Sequence, residues 1–194
     1  MSYLYLVAFV SFTCVHTSLG LPSGAPTGVC TTMTPRHVNS STNEVIQAQT
    51  ATRYSVVTMA SNYSAGDVVR VWIADNQSTG YRGILLQARN LNGSSALGRW
   101  RTPPTNTKLI TCSSTDDAVT HSNTELKTNT HRFDWEASEN YGDLQFVATV
   151  AENHDVFWVQ LKSSTVTGEA CHLIFSKYYL LLTTFAPLMF TMLH

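Results

Sequence analysis

A chain of 194 residues has room for one domain with short appendages and not for two full domains. Twelve Lys and Arg stand against 13 Asp and Glu, and a net charge of −1 gives no electrostatic reason to expect nucleic acid or an anionic membrane surface as partner. Charged residues make up only 13% while Ser, Thr and Asn are abundant, so the polar surface is built from hydroxyls and amides, which suits an extracellular glycoprotein.

The chain opens on an apolar run, Tyr3–Phe12, broken only by Ser11 and followed by Ser18-Leu19-Gly20. Small residues at −3 and −1 make residues 1–20 a secretory signal peptide, although no Lys or Arg precedes the apolar run. The alternative is a first buried strand. Leu21-Pro22-Ser23-Gly24-Ala25-Pro26 then forms an irregular arm, because two prolines beside glycine exclude helix.

The domain proper, residues 21–165, reads as a succession of short strands. Tyr54–Ala60 comes first, then a turn at Ser64-Ala65-Gly66-Asp67 and the alternating segment Asp67–Ala74, with Val69, Val71 and Ile73 on one side and Arg70 and Trp72 on the other. Tyr81–Arg89 is continuously apolar at Ile84-Leu85-Leu86 and closed off by turn formers, the pattern of a strand buried on both faces at the centre of the fold. Ala96–Trp100 and Lys108–Cys112 flank Pro103-Pro104, and Glu125–Trp135, rich in threonine, reads as an edge strand. Asp143–Glu152 puts Leu144, Phe146, Ala148 and Val150 on a core face, and a hairpin at Asn153-His154-Asp155 leads to Val156–Lys162, with Phe157, Val159 and Leu161 inward. About eight strands without an amphipathic helix give an all-β antiparallel sandwich.

Residues 166–194 form the second appendage, a spacer and an uncharged apolar run from Tyr178 to Leu193. That run is short for a membrane span and contains Pro187, whereas small residues, spacer and apolar tail describe the attachment signal of a glycosylphosphatidylinositol (GPI) anchor. Ser163, Ser164 and Gly168 are the candidate attachment residues; a retained tail or a terminal strand is the alternative. Of four cysteines, Cys14 falls in the signal and Cys171 in the spacer, which leaves Cys30 and Cys112 as one disulfide in an oxidising compartment. Asn39, Asn62, Asn76 and Asn92 each begin an N-glycosylation acceptor triplet between predicted strands.

Catalytic signals are thin. No strand-turn-helix elbow surrounds a serine, and Asp116-Asp117, His37, His121, His131 and His154 lack the spacing of a metal motif. Asp116-Asp117 reads as a solvated turn. A bridge from Cys30 to Cys112 would nonetheless bring His37 and His121 into one neighbourhood, which keeps them as weak candidate metal ligands. Arg82, Arg89, Arg99 and Arg101 gather in sequence around the central strand and suit phosphate or carboxylate, while Trp72 offers a ring face to a sugar. The plainer alternative is that these side chains solvate or cover the faces of the sandwich.

Pro22-Ser23-Gly24-Ala25-Pro26 followed by Cys30-x-x-Met33-x-Pro35-x-His37 resembles the opening of the reelin amino-terminal (reeler) domain. The similarity continues through Tyr63-x-x-Gly66-Asp67, Gly83–Arg89, Cys112 with Val119-Thr120-His121, Trp135, Phe146-x-Ala148-Thr149-Val150 and Phe157-Trp158-Val159. It covers residues 22–162, although the proline that often follows the family's tryptophan is absent after Trp135. The resemblance implies an immunoglobulin-like β-sandwich with no catalytic activity and no cofactor. The single-domain members it resembles are the invertebrate defence proteins (noduler-like), associated with microbial surfaces. Other members carry the domain ahead of a haem-containing ferric-chelate reductase module, which this sequence does not show. The expectation is therefore a non-enzymatic, secreted or GPI-anchored defence protein recognising microbial glycolipid or polysaccharide. A surface adhesion module with a cell-surface or matrix protein partner, and a metal-binding ectodomain, are the alternatives.

Overall fold

The computed structural model describes residues 21–169, so the apolar amino-terminal segment with Cys14 and the carboxyl-terminal tail with Cys171 lie outside the described residues. Among the described residues, helix is limited to one 3₁₀ turn, Thr27–Val29, and eleven strands make the rest of the regular structure. They are β1 (Tyr54–Thr58), β2 (Asn62–Tyr63), β3 (Val68–Asp75), β4 (Gly83–Asn90), β5 (Arg99–Trp100) and β6 (Thr107–Ile110). The second half adds β7 (Ala118–His121), β8 (Phe133–Glu136), β9 (Leu144–Ala151), β10 (Phe157–Lys162) and β11 (Thr167–Gly168). The larger number than the eight expected comes mainly from two-residue strands that have no periodicity to read.

Two antiparallel sheets face each other, one in the order β1-β3-β8-β5 and the other β10-β9-β4-β7-β6. Their facing sides make the main core: Val69, Val71, Ile73, Phe133 and Trp135 from the first pack on Leu86, Ala88, Phe146, Ala148 and Val150 from the second. These residues sit at alternate positions of β3, β4, β8 and β9, so the period of two in the sequence is the imprint of this one interface. The central strand is buried on both faces, as its unbroken apolar run requires. Its outward residue Leu85 joins a second small cluster with Met33, Ala118 and Val147 beneath the amino-terminal arm.

Three expectations need correction. The predicted edge strand over Glu125–Trp135 is a loop for most of its length, and only Phe133–Glu136 is strand; it lies between β3 and β5, inside the sheet, with Trp135 wholly buried. What holds the loop is Lys127, whose Nζ donates to the carbonyls of Arg82, Asn123 and Glu125 at 2.8, 2.9 and 2.8 Å. In β10 a register shift between Trp158 and Leu161 puts Trp158 in the main core in place of the expected Val159, with Gln160 at φ 52° absorbing the irregularity. The fold also runs past residue 165: Val166 is fully buried and bridges Leu144, and β11 pairs in parallel with β2.

Candidate ligand-binding cleft

The arm crosses the outer face of the five-stranded sheet without forming a strand there, so its backbone groups need side-chain partners. The sheet supplies them. Thr120 Oγ1 accepts from the amide of Ala25 at 2.8 Å, Thr149 Oγ1 donates to the carbonyl of Met33 at 2.5 Å, and Gln160 Nε2 donates to that of Thr32 at 2.9 Å. Gln87 and Arg89 both donate to the carbonyl of Cys30, and Gln87 Oε1 accepts from Arg89 Nε at 2.8 Å. The Cys30–Cys112 disulfide, spanning 82 residues, fastens the same point covalently.

On one side of this clasp the arm and sheet leave a cleft of about 600 Å³, within the range of small-molecule sites. Its walls are apolar, with Ala25, Val29, Met33, Ile84, Leu85 and Ala151 among them. Arg36, Arg82, His37, His121 and His154 also line it, and no carboxylate does. Gly83 lies on the sheet side, where a Cβ would come 3.1 Å from that of Ala151.

The three imidazoles are held differently. His121 Nε2 lies 3.1 Å from the carbonyl of Leu21 and Nδ1 lies 3.3 Å from the amide of Ile84. A neutral ring protonated at Nε2 satisfies both contacts. Burial holds its pKa below the usual 6.5, against the raising effect of the nearby carbonyls of Ile84 and Leu21. The His37 ring stacks on His154 at 4.5 Å and meets Phe157 edge-on at 5.1 Å, and its Nδ1 is buried without a hydrogen-bond partner. Burial lowers its pKa as well. His37 and His121 therefore do share a neighbourhood. Among the described residues, however, no three His, Cys, Asp or Glu side chains are placed to hold a metal ion.

The arginines grouped by sequence do not converge. Arg82 is exposed at the cleft, where it donates to the carbonyl of Thr124 at 2.8 Å. Arg89 is 5% exposed and serves the clasp; burial pulls its pKa down. Arg99 and Arg101 lie on the other sheet, both paired with Glu136. Trp72, on that sheet too, has its ring covered by the guanidinium of Arg132 at 4.5 Å.

Asp117 corrects a further expectation, that the Asp116-Asp117 pair is a solvated turn. It is fully buried and accepts from the amides of Cys112, Ser113 and Ser114 at 2.7, 2.7 and 2.6 Å, shaping the loop that presents Cys112. Asn39, Asn62, Asn76 and Asn92 are all exposed. Of the anchor candidates, Ser163 is buried with its Oγ accepting from the amide of Phe146 at 3.0 Å, whereas Ser164 is exposed.

Sequence reasoning did not find Gln87, Thr120 and Thr149 as partners of the arm. Their signal is a polar residue inside an otherwise apolar strand, on the face opposite the main core. Such a residue in a buried strand requires something irregular to bond.

A family model described as the Reeler domain matches residues 28–173. The chain is 35% identical over 169 residues to "Putative defense protein 3" of Antheraea mylitta, covering 86% of this chain and 97% of that one. It is 29% identical over 162 residues to "Putative ferric-chelate reductase 1" of Danio rerio; the match takes in 81% of this chain and spans only 27% of that much longer relative. Among solved structures, the human F-spondin reeler domain superposes with a TM-score of 0.51 at 19% identity, over 61% of this chain and 90% of that one.

Proposed function

This chain belongs to the Reeler domain family, and we propose that it is a non-enzymatic extracellular defence protein that recognises glycolipids of microbial surfaces at the cleft beneath its arm. The observation that carries the reading is the apolar cleft with cationic and imidazole side chains and no carboxylate in its lining. A polysaccharide would call for an open aromatic platform, and the lining holds no Trp, Tyr or Phe. Similarity over nearly the whole length to proteins named for defence supports the biological setting. Similarity to a reductase is confined to about a quarter of that protein and supports no transfer of its activity.

The test is a pull-down of the glycosylated protein with lipopolysaccharide, lipoteichoic acid and β-glucan. Capture by the two glycolipids and not by the glucan is expected. Capture by none removes the microbial assignment.

We place the protein outside the cell, held by a GPI anchor at Gly168. Cleavage after Ser163 or Ser164 would discard Val166, which is fully buried, and the β11 pairing with β2. Attachment at Gly168 keeps both. Phosphatidylinositol-specific phospholipase C should release the protein from its cells, and the carboxyl-terminal peptide should end at Gly168; a peptide ending at Ser163 or Ser164 would refute the assignment.

A further inference from the structure

We infer that the cleft reads the acyl chain of an anionic amphiphile, with the hydrocarbon along the sheet face and the head group at the mouth beside Arg82; the inference rests on the cleft being the recognition site. Three observations converge on this occupant. First, the interior is hydrocarbon: Val29, Met33, Ile84, Leu85 and Ala151 line it, and a volume of about 600 Å³ is ample for one extended chain. Second, polar groups that the sheet turns toward the cleft are already used, the buried Nδ1 of His37 on the arm being the exception. His121 has both ring nitrogens engaged, and the Oγ1 of Thr149 is spent on the carbonyl of Met33. A ligand entering here finds few unpartnered donors in the interior, which suits methylenes and penalises hydroxyls.

Third, the charge is one-sided. The lining holds no Asp or Glu, Asp155 lying behind it at 2.7 Å from Nδ1 of His154, so an anionic head group beside Arg82 meets complementary charge. Arg82 is exposed, donates from Nη1 to the carbonyl of Thr124, and forms no ion pair among the described residues. Its guanidinium therefore retains donors for a carboxylate or phosphate.

The experiment uses the secreted glycosylated protein, its intact mass measured first, and reads laurate binding by calorimetry and native mass spectrometry. Dodecanol, lipopolysaccharide and the lipid-free saccharide of that lipopolysaccharide are the comparison arms. One laurate per chain is expected, with dodecanol weaker by roughly three- to tenfold for want of the charge. Lipopolysaccharide should displace laurate and its saccharide should not.

Ala151→Trp should cut laurate binding at least about tenfold by filling the cleft. The surface variant Arg82→Glu, which gives up only the exposed bond to the carbonyl of Thr124, should weaken laurate roughly three- to tenfold and leave dodecanol unchanged. If Ala151→Trp melts early, Arg82→Glu decides by itself. Equal loss for laurate and dodecanol in Arg82→Glu would overturn the head-group assignment.

Lipopolysaccharide binding without laurate binding would overturn the inference and leave microbial recognition standing. Laurate binding without lipopolysaccharide binding would uphold the inference and remove the microbial reading. A preparation that retains residues 1–20 and refuses laurate would assign the cleft to that apolar segment and overturn the inference.

Discussion

Gly98 shows how one missing Cβ fixes the position of one of the core tryptophans. Its φ is +65°, and a Cβ there would lie 2.5 Å from Cε2 and Nε1 of Trp135. Trp135 is fully buried, donates from Nε1 to the carbonyl of Leu97 at 2.8 Å, and packs edge-on against Tyr63 and Phe146. It has no room to retreat. Gly98→Ala should therefore cost about 2–4 kcal/mol, the left-handed backbone and the overlap acting together. Gly66→Ala is the control, because φ is +90° there but no atom lies within 4 Å of the added Cβ. It should cost only about 1–2 kcal/mol for the backbone alone. Denaturant unfolding of the two variants separates the terms; equal losses would show that Trp135 is not the obstacle.

Arg53 does comparable work with charge. It pairs with Asp75 at 3.2 Å and with Glu152, and its guanidinium lies 4.8 Å from the centre of the Tyr54 ring and 5.7 Å from that of Trp158. Burial by itself would raise the pKa of Asp75, but the bond from Arg53 and the amides of Gln77 and Gly80 outweigh it and hold the carboxyl at about 2. The folded value lies below the ordinary 3.8, so the unfolded chain takes up the proton first. This stabilisation is present above pH 3.8 and is lost as pH falls from there towards 2. Arg53→Ala should lower stability by about 1–3 kcal/mol at neutral pH, because it leaves the half-buried Asp75 charged with only backbone amides to hold it. It should also flatten the acid limb of the stability curve in that window. An unchanged acid limb would show that Asp75 owes its ionisation to the backbone amides alone.

Elements were legible where one face meets the core and the other meets solvent or the arm. Val69, Val71 and Ile73 in β3 and Leu144, Phe146, Ala148 and Val150 in β9 announce their sheets because alternation records a difference between two environments. Glu125–Trp135 misled because its anchor is a buried lysine satisfied by three carbonyls, an arrangement no local pattern encodes. The arm misled differently. Its irregularity was plain from Pro22, Gly24 and Pro26, but its course over the sheet depends on residues 87, 120 and 149, far off in sequence, and so the cleft was invisible.

The arm should also be the acid-sensitive element. His37 and His121 both have folded pKa values lowered from 6.5, burial being the largest cause for each. The unfolded or undocked segment therefore protonates first, and docking is strongest above pH 6.5 and weakens as pH falls through it. The protection factors of the amides of Ala25 and Ile84, which bond to Thr120 and His121, should fall between neutrality and about pH 5 once the intrinsic slowing of exchange in acid is divided out. His37→Phe, which keeps an aromatic partner for His154 and Phe157, should reduce that change. A protection factor of Ala25 that does not change with pH would contradict the assignment.

At the scale of the whole molecule the protein is three layers: two sheets joined by a large core, and an arm joined to the second sheet by a small one. The main core includes Trp100, Trp135, Phe133, Phe146 and Trp158, whereas the buried part of the cluster beneath the arm is Met33, Leu85, Ala118 and Val147. So unequal a division predicts two steps of opening. The disulfide closes a loop of 82 residues, which in the chain-entropy model contributes about 4 kcal/mol. Most domains have only about 5–15 kcal/mol in total. Replacing both cysteines, as Cys30→Ser with Cys112→Ser, should leave the sandwich folded at room temperature with a melting point lowered by tens of degrees at most. The arm, deprived of its covalent point, should exchange its amides and lose the cleft well before the sheets unfold. Laurate binding should then be lost in the variant while the near-ultraviolet signal of Trp135 and its neighbours persists. A variant that keeps both signals, or loses both together, would show that arm and sandwich are one cooperative body and that the clasp does not govern the cleft.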